Sequence, residues 1–159
     1  MTEARLPHLT DDGAARMVDV SGKPVTVREA RATGRVLVSP DALAAVRAGR
    51  LPKGDALAVA RIAGLQAAKR TPELVPLAHP VAVHAVDVEI TAGAEAVEIG
   101  ATVRTADRTG VEMEALTAVL GAALSVVDMV KAVDRSAVIS DVRVEHKSGG
   151  RSGTWRRGD

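Results

Sequence analysis

The stretch that most constrains the fold is a long helix-forming run between Thr109 and Val133. At about 100° per residue, its apolar side chains fall on one broad side, which is how a helix packs on a core. That apolar side comprises Leu116, Val119, Leu120, Ala123, Val126, Val127 and Val130. The run therefore predicts one long amphipathic helix around which a small domain is built.

The opposite side of this helix carries small and polar residues where a solvated face would carry long charged side chains. Its members are Glu114, Thr117, Gly121, Ser125, Asp128 and Lys131. A side of this kind allows a second helix, another chain or a ligand to come close. Asp128 and Lys131 are three residues apart, so they are neighbours on the helix surface and could form an acid/base pair or simply an ion pair.

The two ends of the helix cannot serve one small site within a single chain. Glu114 and Asp128 are fourteen residues apart, which is about 21 Å along a straight helix. Either the two ends contact different parts of a long ligand, or two subunits pair. In the second case Glu112 and Glu114 of one chain would approach Asp128 and Lys131 of another.

Composition narrows the class of protein. A chain of 159 residues, 47% of them hydrophobic, is the size of one domain with a sizeable core. The absence of cysteine excludes disulfides, thiolate metal sites and cysteine nucleophiles. A net charge of +1 without Phe or Tyr argues against a nucleic-acid binder. We find neither a signal peptide nor a membrane span in the sequence and expect a cytoplasmic protein with no membrane partner.

The order of elements predicts an α+β fold. We expect a flexible N-terminal arm at residues 1–16, a single catalytic domain at 17–147 and a flexible Gly/Arg-rich tail at 148–159. Within the domain, the pattern is strand (25–38), short helix (from a Ser39 cap to Gly49), helix (Asp55 to Arg70), two strands (81–91 and 97–105), the long helix and a last strand (138–144). A βαββαβ order of this kind closes as a four-stranded antiparallel sheet with helices on one face and one extra short helix.

The charged residues suit proton transfer on a polyanionic substrate. His79 lies in a loop between Pro76 and Pro80, where restricted backbone angles hold it still. Carboxylates and lysines can shuttle protons, and cations stabilise phosphate charge. The acids are Glu112, Glu114 and Asp128, and the cations are Arg28, Lys53, Lys69, Lys131 and Lys147. Taken alone, each cation is more often a solvated residue, and His79 is as often a structural residue as a catalytic one. No metal-ligand spacing or nucleophilic triad is visible.

Several short stretches, taken together, carry a resemblance that spans nearly the whole chain. They are Ala-Arg-Met-Val-Asp-Val-Ser at 15–21, Lys-Gly-Asp at 53–55, Ala-Arg-Ile-Ala-Gly at 60–64, Ala-Ala-Lys-Arg-Thr at 67–71, His79-Pro80, Thr-Gly-Val-Glu-Met-Glu-Ala-Leu-Thr-Ala at 109–118, Asp-Met at 128–129, Lys-Ala-Val at 131–133 and Lys-Ser-Gly-Gly at 147–150. In this combination the chain resembles the MoaC family, the cyclic pyranopterin monophosphate synthases of molybdenum cofactor biosynthesis.

The resemblance implies a fold, an assembly and a reaction. It implies a ferredoxin-like subunit in a homohexamer built as a trimer of dimers, with sites between subunits. The implied enzyme is a lyase that rearranges a cyclised dihydroguanosine triphosphate into cyclic pyranopterin monophosphate and releases pyrophosphate. We expect no resident cofactor, and a Mg²⁺ ion carried by the substrate phosphates is compatible with the reaction.

The resemblance also implies residue roles. Asp128 and Lys131 match the catalytic pair of the family. The substrate-binding positions are Leu77, Ala78, His79, Glu112, Met113 and Glu114, and the phosphate or base contacts are Arg28, Lys53 and Lys147, with Lys69 in a further family motif. Ala78, Val127 and Val130 replace the usual Cys, Tyr and Cys of the family. Because the acids and bases are kept, we expect activity to survive these replacements.

A rival hypothesis needs less of the sequence. Helices with small residues and an open sheet face would also suit a non-catalytic ferredoxin-like oligomer that binds a nucleotide or scaffolds a partner. Such a protein would keep its function after Lys131→Ala, whereas the enzyme would lose turnover without unfolding.

Overall fold

The computed structural model describes residues 7–159 of the chain. The structure contains five strands and four helices in these residues. In chain order they are β1 (Thr26–Leu37), α1 (Pro40–Arg47), α2 (Ala56–Ala68), α3 (Thr71–Leu74), β2 (Val83–Ala92), β3 (Ala96–Asp107), α4 (Glu112–Val130), β4 (Val138–Ser148) and β5 (Trp155–Arg156). The predicted α+β class is confirmed, and the predicted long helix is α4.

The strands form one antiparallel sheet in the order β2-β3-β1-β4-β5. The order of the first four strands is consistent with the ferredoxin-like arrangement that the sequence predicted. The prediction of four strands was wrong, because the two residues of β5 pair with β4 at His146 and Lys147. A two-residue strand is too short to show an alternating pattern, and this one follows a glycine-rich turn. The four-residue helix α3 was not predicted either, because it is too short to show a helical period.

Local capping fixes where the first two helices begin, as predicted. The side chain of Ser39 accepts a hydrogen bond from the N–H of Ala42, with Pro40 as the first residue of α1. The Asp55 carboxylate accepts hydrogen bonds from the N–H groups of Leu57 and Ala58 at the start of α2. These caps also fix Lys53, two residues before the α2 cap, at the entrance to the helix.

The core lies between the sheet and α4. Alternate residues of β1, among them Ala30, Ala32 and Val36, are completely buried on the face that α4 covers. At Gly34 a side chain would clash with Val119 of α4 at 2.7 Å and with Val142 of β4 at 2.9 Å. The pairing of β1 with β4 shifts register at this point, so the strand is irregular near Gly34.

The apolar side predicted for α4 was partly wrong. Val119 and Val126 are buried as expected, but Leu120 is 42% exposed and Leu124, which was not assigned, is 63% exposed. The structure also shows what lies against the small residues on the other side of α4. A methyl group added at Gly121 would overlap the Cβ of Ala67 in α2, so a second helix of the same chain takes this place.

Exposed apolar residues gather on the outer side of the two long helices. They are Val59 and Ile62 of α2 and Leu120 and Leu124 of α4, and we call them the helical patch. The uncovered face of the sheet is different, because it carries ion pairs such as Arg31 with Glu89. The uncovered face of the sheet is therefore charged rather than apolar.

Among the described residues, one helix is long and apolar enough to cross a membrane. This helix is α4, and 56% of the apolar window is buried inside the domain. It packs against the sheet and α2, as expected of the core helix of an α+β fold.

The structure describes the predicted arm in part and the predicted tail in full. Residues 1–6 lie outside the described residues, and Leu9 forms an isolated bridge with Ala15. The tail contains β5, and β4 runs one residue past the predicted boundary at 147. The flexibility of both segments stays a prediction.

Candidate active site

One carboxylate holds two lysines at the C-terminal end of α4. The Asp128 Oδ1 atom lies 2.6 Å from the Nζ atom of Lys131, and Oδ2 lies 2.7 Å from the Nζ atom of Lys53. Lys53 also donates a hydrogen bond to the backbone carbonyl of Asp128 at 3.2 Å. The end of α4 and the entrance of α2 therefore meet, and three predicted site residues form one cluster, which we call the lysine cluster.

The two ammonium groups set the charge state of the carboxyl group. Hydrogen bonds from Lys131 and, next, from Lys53 lower the pKa of Asp128 to about 2. Asp128 is therefore ionised throughout the neutral range and is a weak base in the free protein. In this arrangement the carboxylate orients Lys131, whose ammonium group can donate a proton to a ligand.

A second cluster surrounds the N-terminal end of α4. It lines a cavity of about 810 Å³, which we call the His79 cavity. All six residues predicted to bind substrate lie in its wall: Leu77, Ala78, His79, Glu112, Met113 and Glu114. The structure brings these six residues together in one cavity, and their roles stay predictions.

The two acids of this cavity differ in burial. Glu114 is 3% exposed, whereas Glu112 is half-buried. Burial raises the pKa of Glu114, and the nearby carboxylate of Glu112 raises it further, against a hydrogen bond from its own backbone N–H that lowers it. Among residues 7–159 no ion pair engages Glu114. When ionised, its carboxylate is a strong acceptor for the N–H groups of a ligand.

His79 is held by a segment far from it in the sequence. Its Nε2 atom lies 2.5 Å from the backbone carbonyl oxygen of Val18. The turn after Val18 is closed by the Asp19 carboxylate, which accepts a hydrogen bond from the N–H of Ser21 at 2.8 Å. The predicted fixed histidine is thus fixed by a hydrogen bond as well as by neighbouring prolines.

A cationic groove adjoins the His79 cavity, with Glu112 in the wall of both. The cations along the groove are Lys23, Arg28, Arg108 and Lys147. Arg28 donates hydrogen bonds to the carbonyls of Asp107 and Arg108 at 3.0 and 3.1 Å, and Lys147 donates to the hydroxyl of Ser152. Arg28 therefore shapes the groove as well as charging it.

Two cations of this groove were missed by sequence reasoning. Lys23 lines the His79 cavity, the groove and a third cavity beside Gly150. Arg108 donates a hydrogen bond from Nε to the carbonyl of Lys23 at 3.0 Å. The sequence around Lys23 reads as a turn, and its neighbourhood with Arg108 arises only when residues far apart in the chain come together.

Lys69 stands apart from the other predicted residues. It is the exposed C-cap of α2, and it lines none of the cavities described above. The lysine cluster likewise contributes nothing to the His79 cavity. Within one chain, the two ends of α4 therefore carry two separate clusters of predicted site residues. Residues 7–159 contain no group of three or more His, Asp or Glu placed to hold a metal ion.

Comparison with known proteins gives the family. A sequence model of the MoaC family matches residues 17–150. The chain is 67% identical to the cyclic pyranopterin monophosphate synthase of Streptomyces griseus over 156 residues, covering 98% of this chain and 88% of that protein. It is 62% identical to the enzyme of the same name from Nocardioides sp., covering 96% of each chain. The resemblance predicted from the motifs is confirmed, and the chain belongs to the MoaC family.

Proposed function

We propose that this protein is a cyclic pyranopterin monophosphate synthase of molybdenum cofactor biosynthesis, acting in the cytoplasm. It rearranges a cyclised dihydroguanosine triphosphate and releases pyrophosphate. The observation that carries the proposal is the lysine cluster, in which Asp128 orients Lys131 at 2.6 Å. Lys131 is the proton donor and Asp128 is its partner, while Lys53 adds positive charge beside the reacting groups.

At the other end of α4, two neighbouring regions suit two different parts of the ligand. The His79 cavity offers Glu112 and Glu114 as acceptors beside apolar side chains such as Leu77 and Met113, which suits the flat, N–H-rich heterocycle, and Lys23 and Arg151 add positive charge to the same wall. The cationic groove, with Lys23, Arg28 and Lys147, suits the phosphates. A Mg²⁺ ion bound to those phosphates would arrive with the substrate, so the reaction needs no resident metal site.

The complete site requires two copies of the chain. The middle of the span between Glu114 and Asp128 falls at Gly121, and the exposed side chains nearest to it are Leu120 and Leu124 of the helical patch. A twofold axis through this patch would place the N-terminal end of one α4 against the C-terminal end of the other. Such pairs are the dimers of the proposed hexamer, and burial of the exposed apolar residues would stabilise them.

Turnover tests the reaction and its residues. The protein is incubated anaerobically with the cyclised dihydroguanosine triphosphate, and the fluorescent pterin formed after oxidation is measured together with released pyrophosphate. We expect both products from the wild type and neither from Asp128→Asn or Lys131→Ala. Glu95→Gln, in the exposed turn between β2 and β3, is the matched control and should be fully active. A folded wild-type protein that binds the substrate without forming product would favour the non-catalytic oligomer.

Mixed oligomers test the shared site. Glu114→Gln and Lys131→Ala are each expected to be inactive, and the two variants are co-expressed with different tags so that mixed pairs form. In a mixed pair, one of the two sites takes its Glu114 and its Lys131 from the unmutated halves. Equal mixing should therefore restore about a quarter of the wild-type activity. If all residues of a site came from one chain, the mixture would stay inactive.

A further inference from the structure

The glycine-rich turn between β4 and β5, residues 149–154, forms part of the wall of the cationic groove. Gly149 and Gly150 both have positive φ angles, 87° and 71°. A methyl group added at Gly149 would overlap the carbonyl oxygen of Val27, and one added at Gly150 would overlap the guanidinium group of Arg28. The backbone of this glycine turn therefore lies directly against Arg28, in a conformation that glycine adopts more readily than other residues.

The glycine turn also sets the position of two cationic side chains. The hydroxyl of Ser152 accepts a hydrogen bond from the ammonium group of Lys147, and Ser152 lines both the groove and the third cavity. Arg151 lines the third cavity and the His79 cavity. A displacement of the turn would therefore move Arg151 and release Lys147 from its hydrogen bond.

The far end of the glycine turn is fixed to the sheet by Arg157. The backbone N–H of Arg157 donates to the carbonyl of Glu145 at 2.9 Å, and its Nε atom donates to the carbonyl of Val144 at 2.8 Å. Its Cζ atom lies 5.5 Å from the centre of the Trp155 ring, and its Nε atom lies 3.7 Å from a carboxylate oxygen of Glu145. Since β5 itself has only two residues, these contacts add substantially to its attachment to β4.

We propose that Arg157 is a positioning residue for the cationic groove, because it fixes β5 on β4 and so holds the glycine turn against Arg28 before a ligand binds. The ligand group is a phosphate or pyrophosphate, and its place in a reaction rests on the proposed function. Arg157 lines none of the cavities described above, so it acts through the turn and not by touching the ligand.

The attachment of β5 affects affinity through conformational entropy. A turn that is anchored on β4 at both ends loses little freedom when an anion binds, whereas a turn anchored at one end must be ordered by the ligand. The lysine cluster contains neither the turn nor β5. Arg157 therefore determines how tightly the phosphates bind and leaves proton transfer unchanged.

Binding of pyrophosphate, measured by calorimetry, tests the inference without turnover. Arg157→Ala should bind pyrophosphate about tenfold more weakly than the wild type, because the turn is then ordered only on binding. Arg157→Lys keeps a cation beside Glu145 and should lose less. Arg156→Ala removes the adjacent exposed arginine, keeps the backbone pairing with His146 and should bind as the wild type does. Equal affinities of the wild type and Arg157→Ala, including binding by neither, would overturn the inference.

Hydrogen–deuterium exchange and kinetics distinguish positioning from a purely structural role. In Arg157→Ala, amide exchange should rise at residues 149–154 and stay unchanged in α4, and saturating pyrophosphate should restore the protection of the turn. In turnover, KM should rise about tenfold with kcat unchanged. A lower melting temperature with unchanged KM and unchanged exchange in the turn would refute the positioning role. An inactive wild type whose pyrophosphate binding still depends on Arg157 would refute the proposed function and support this inference.

Discussion

Replacing Gly121 by alanine should separate the two helices that form the lysine cluster. An added methyl group would lie well inside 3.0 Å of the Cβ of Ala67 and at 3.2 Å from the carbonyl oxygen of Ala63. Carbon atoms in contact lie at about 3.5–4.0 Å. Because neither neighbour can rotate away, α2 must move from α4 by at least about 0.5 Å.

Two opposing contributions determine the change in stability. Alanine in place of glycine in a helix favours the folded state by about 1 kcal/mol, and overpacking of a tight contact costs about 1–3 kcal/mol. Since the clash involves a methyl group and a backbone carbonyl, we expect the higher part of that range. The net loss is then about 1–2 kcal/mol, or several degrees in melting temperature for a domain of this size.

The movement of α2 away from α4 should also disturb the lysine cluster. Lys53 precedes α2 and contacts Asp128 at 2.7 Å, so turnover should fall more than the small loss of stability explains. Melting temperature, free energy of unfolding and kcat are measured for Gly121→Ala and for Gly22→Ala, whose added methyl group would meet no atom within 4 Å. The control should be as active as the wild type.

A size exchange tests the cause. Ala67→Gly alone should destabilise the protein by about 1 kcal/mol, because glycine weakens a helix. Combined with Gly121→Ala, it removes the overlapping carbon atom, so the double variant should be more stable than the sum of the two changes by about 0.5–3 kcal/mol. Strictly additive effects, or a Gly121→Ala variant as stable as the wild type, would show that the two helices are not in tight contact here.

Two further predictions concern pH. Burial raises the pKa of Glu114 above its ordinary 4.5, so the folded state loses stability as pH rises above that value. Glu114→Gln lacks this loss, so its melting temperature minus that of the wild type should increase from pH 4 to pH 7. A difference that stays constant over this range would contradict the prediction. Asp134 accepts hydrogen bonds from Ser136 and from the N–H of Ser39, and these contacts, Ser136 first, lower its pKa below 3.8. Its contribution is present above pH 3.8 and is lost as pH falls through the lowered value, so the melting temperature of Asp134→Ala should lie below that of the wild type at pH 7 and approach it in acid.

Features that depend on local sequence were predictable. The caps at Ser39 and Asp55 and the pairing of Asp128 with Lys131 follow from residues at most three positions apart, and the structure shows all of them. The acids and the histidine of the His79 cavity were recognised through family motifs, because a family's motif identifies site residues even when the fold is not known. For the local contacts, the spacing along the chain is enough to predict which residues meet.

Contacts between distant segments were not predictable from pattern alone. Lys53 contacts Asp128, 75 residues away in the sequence, and Val18 contacts His79, 61 residues away. The periodicity of apolar residues cannot predict contacts between segments so far apart. The exposure of Leu120 was misjudged because helical periodicity gives the direction of a side chain but not the width of the surface that covers it. In α4 the sheet and α2 cover two sides of the helix, and Leu120 lies on the side that neither covers.

This uncovered side bears on our proposal that a monomer is an incomplete enzyme. Each chain has the proposed proton donor, Lys131, at one end of α4 and the His79 cavity at the other, about 21 Å away, with exposed leucines between them. If the helical patch were a solvated face, charged substitutions there would leave turnover unchanged. If it joins two copies, Leu124→Glu should abolish turnover and pairing together while each chain stays folded, because neither the lysine cluster nor the His79 cavity contains Leu124. Size-exclusion chromatography and circular dichroism on the same sample distinguish loss of pairing from loss of fold.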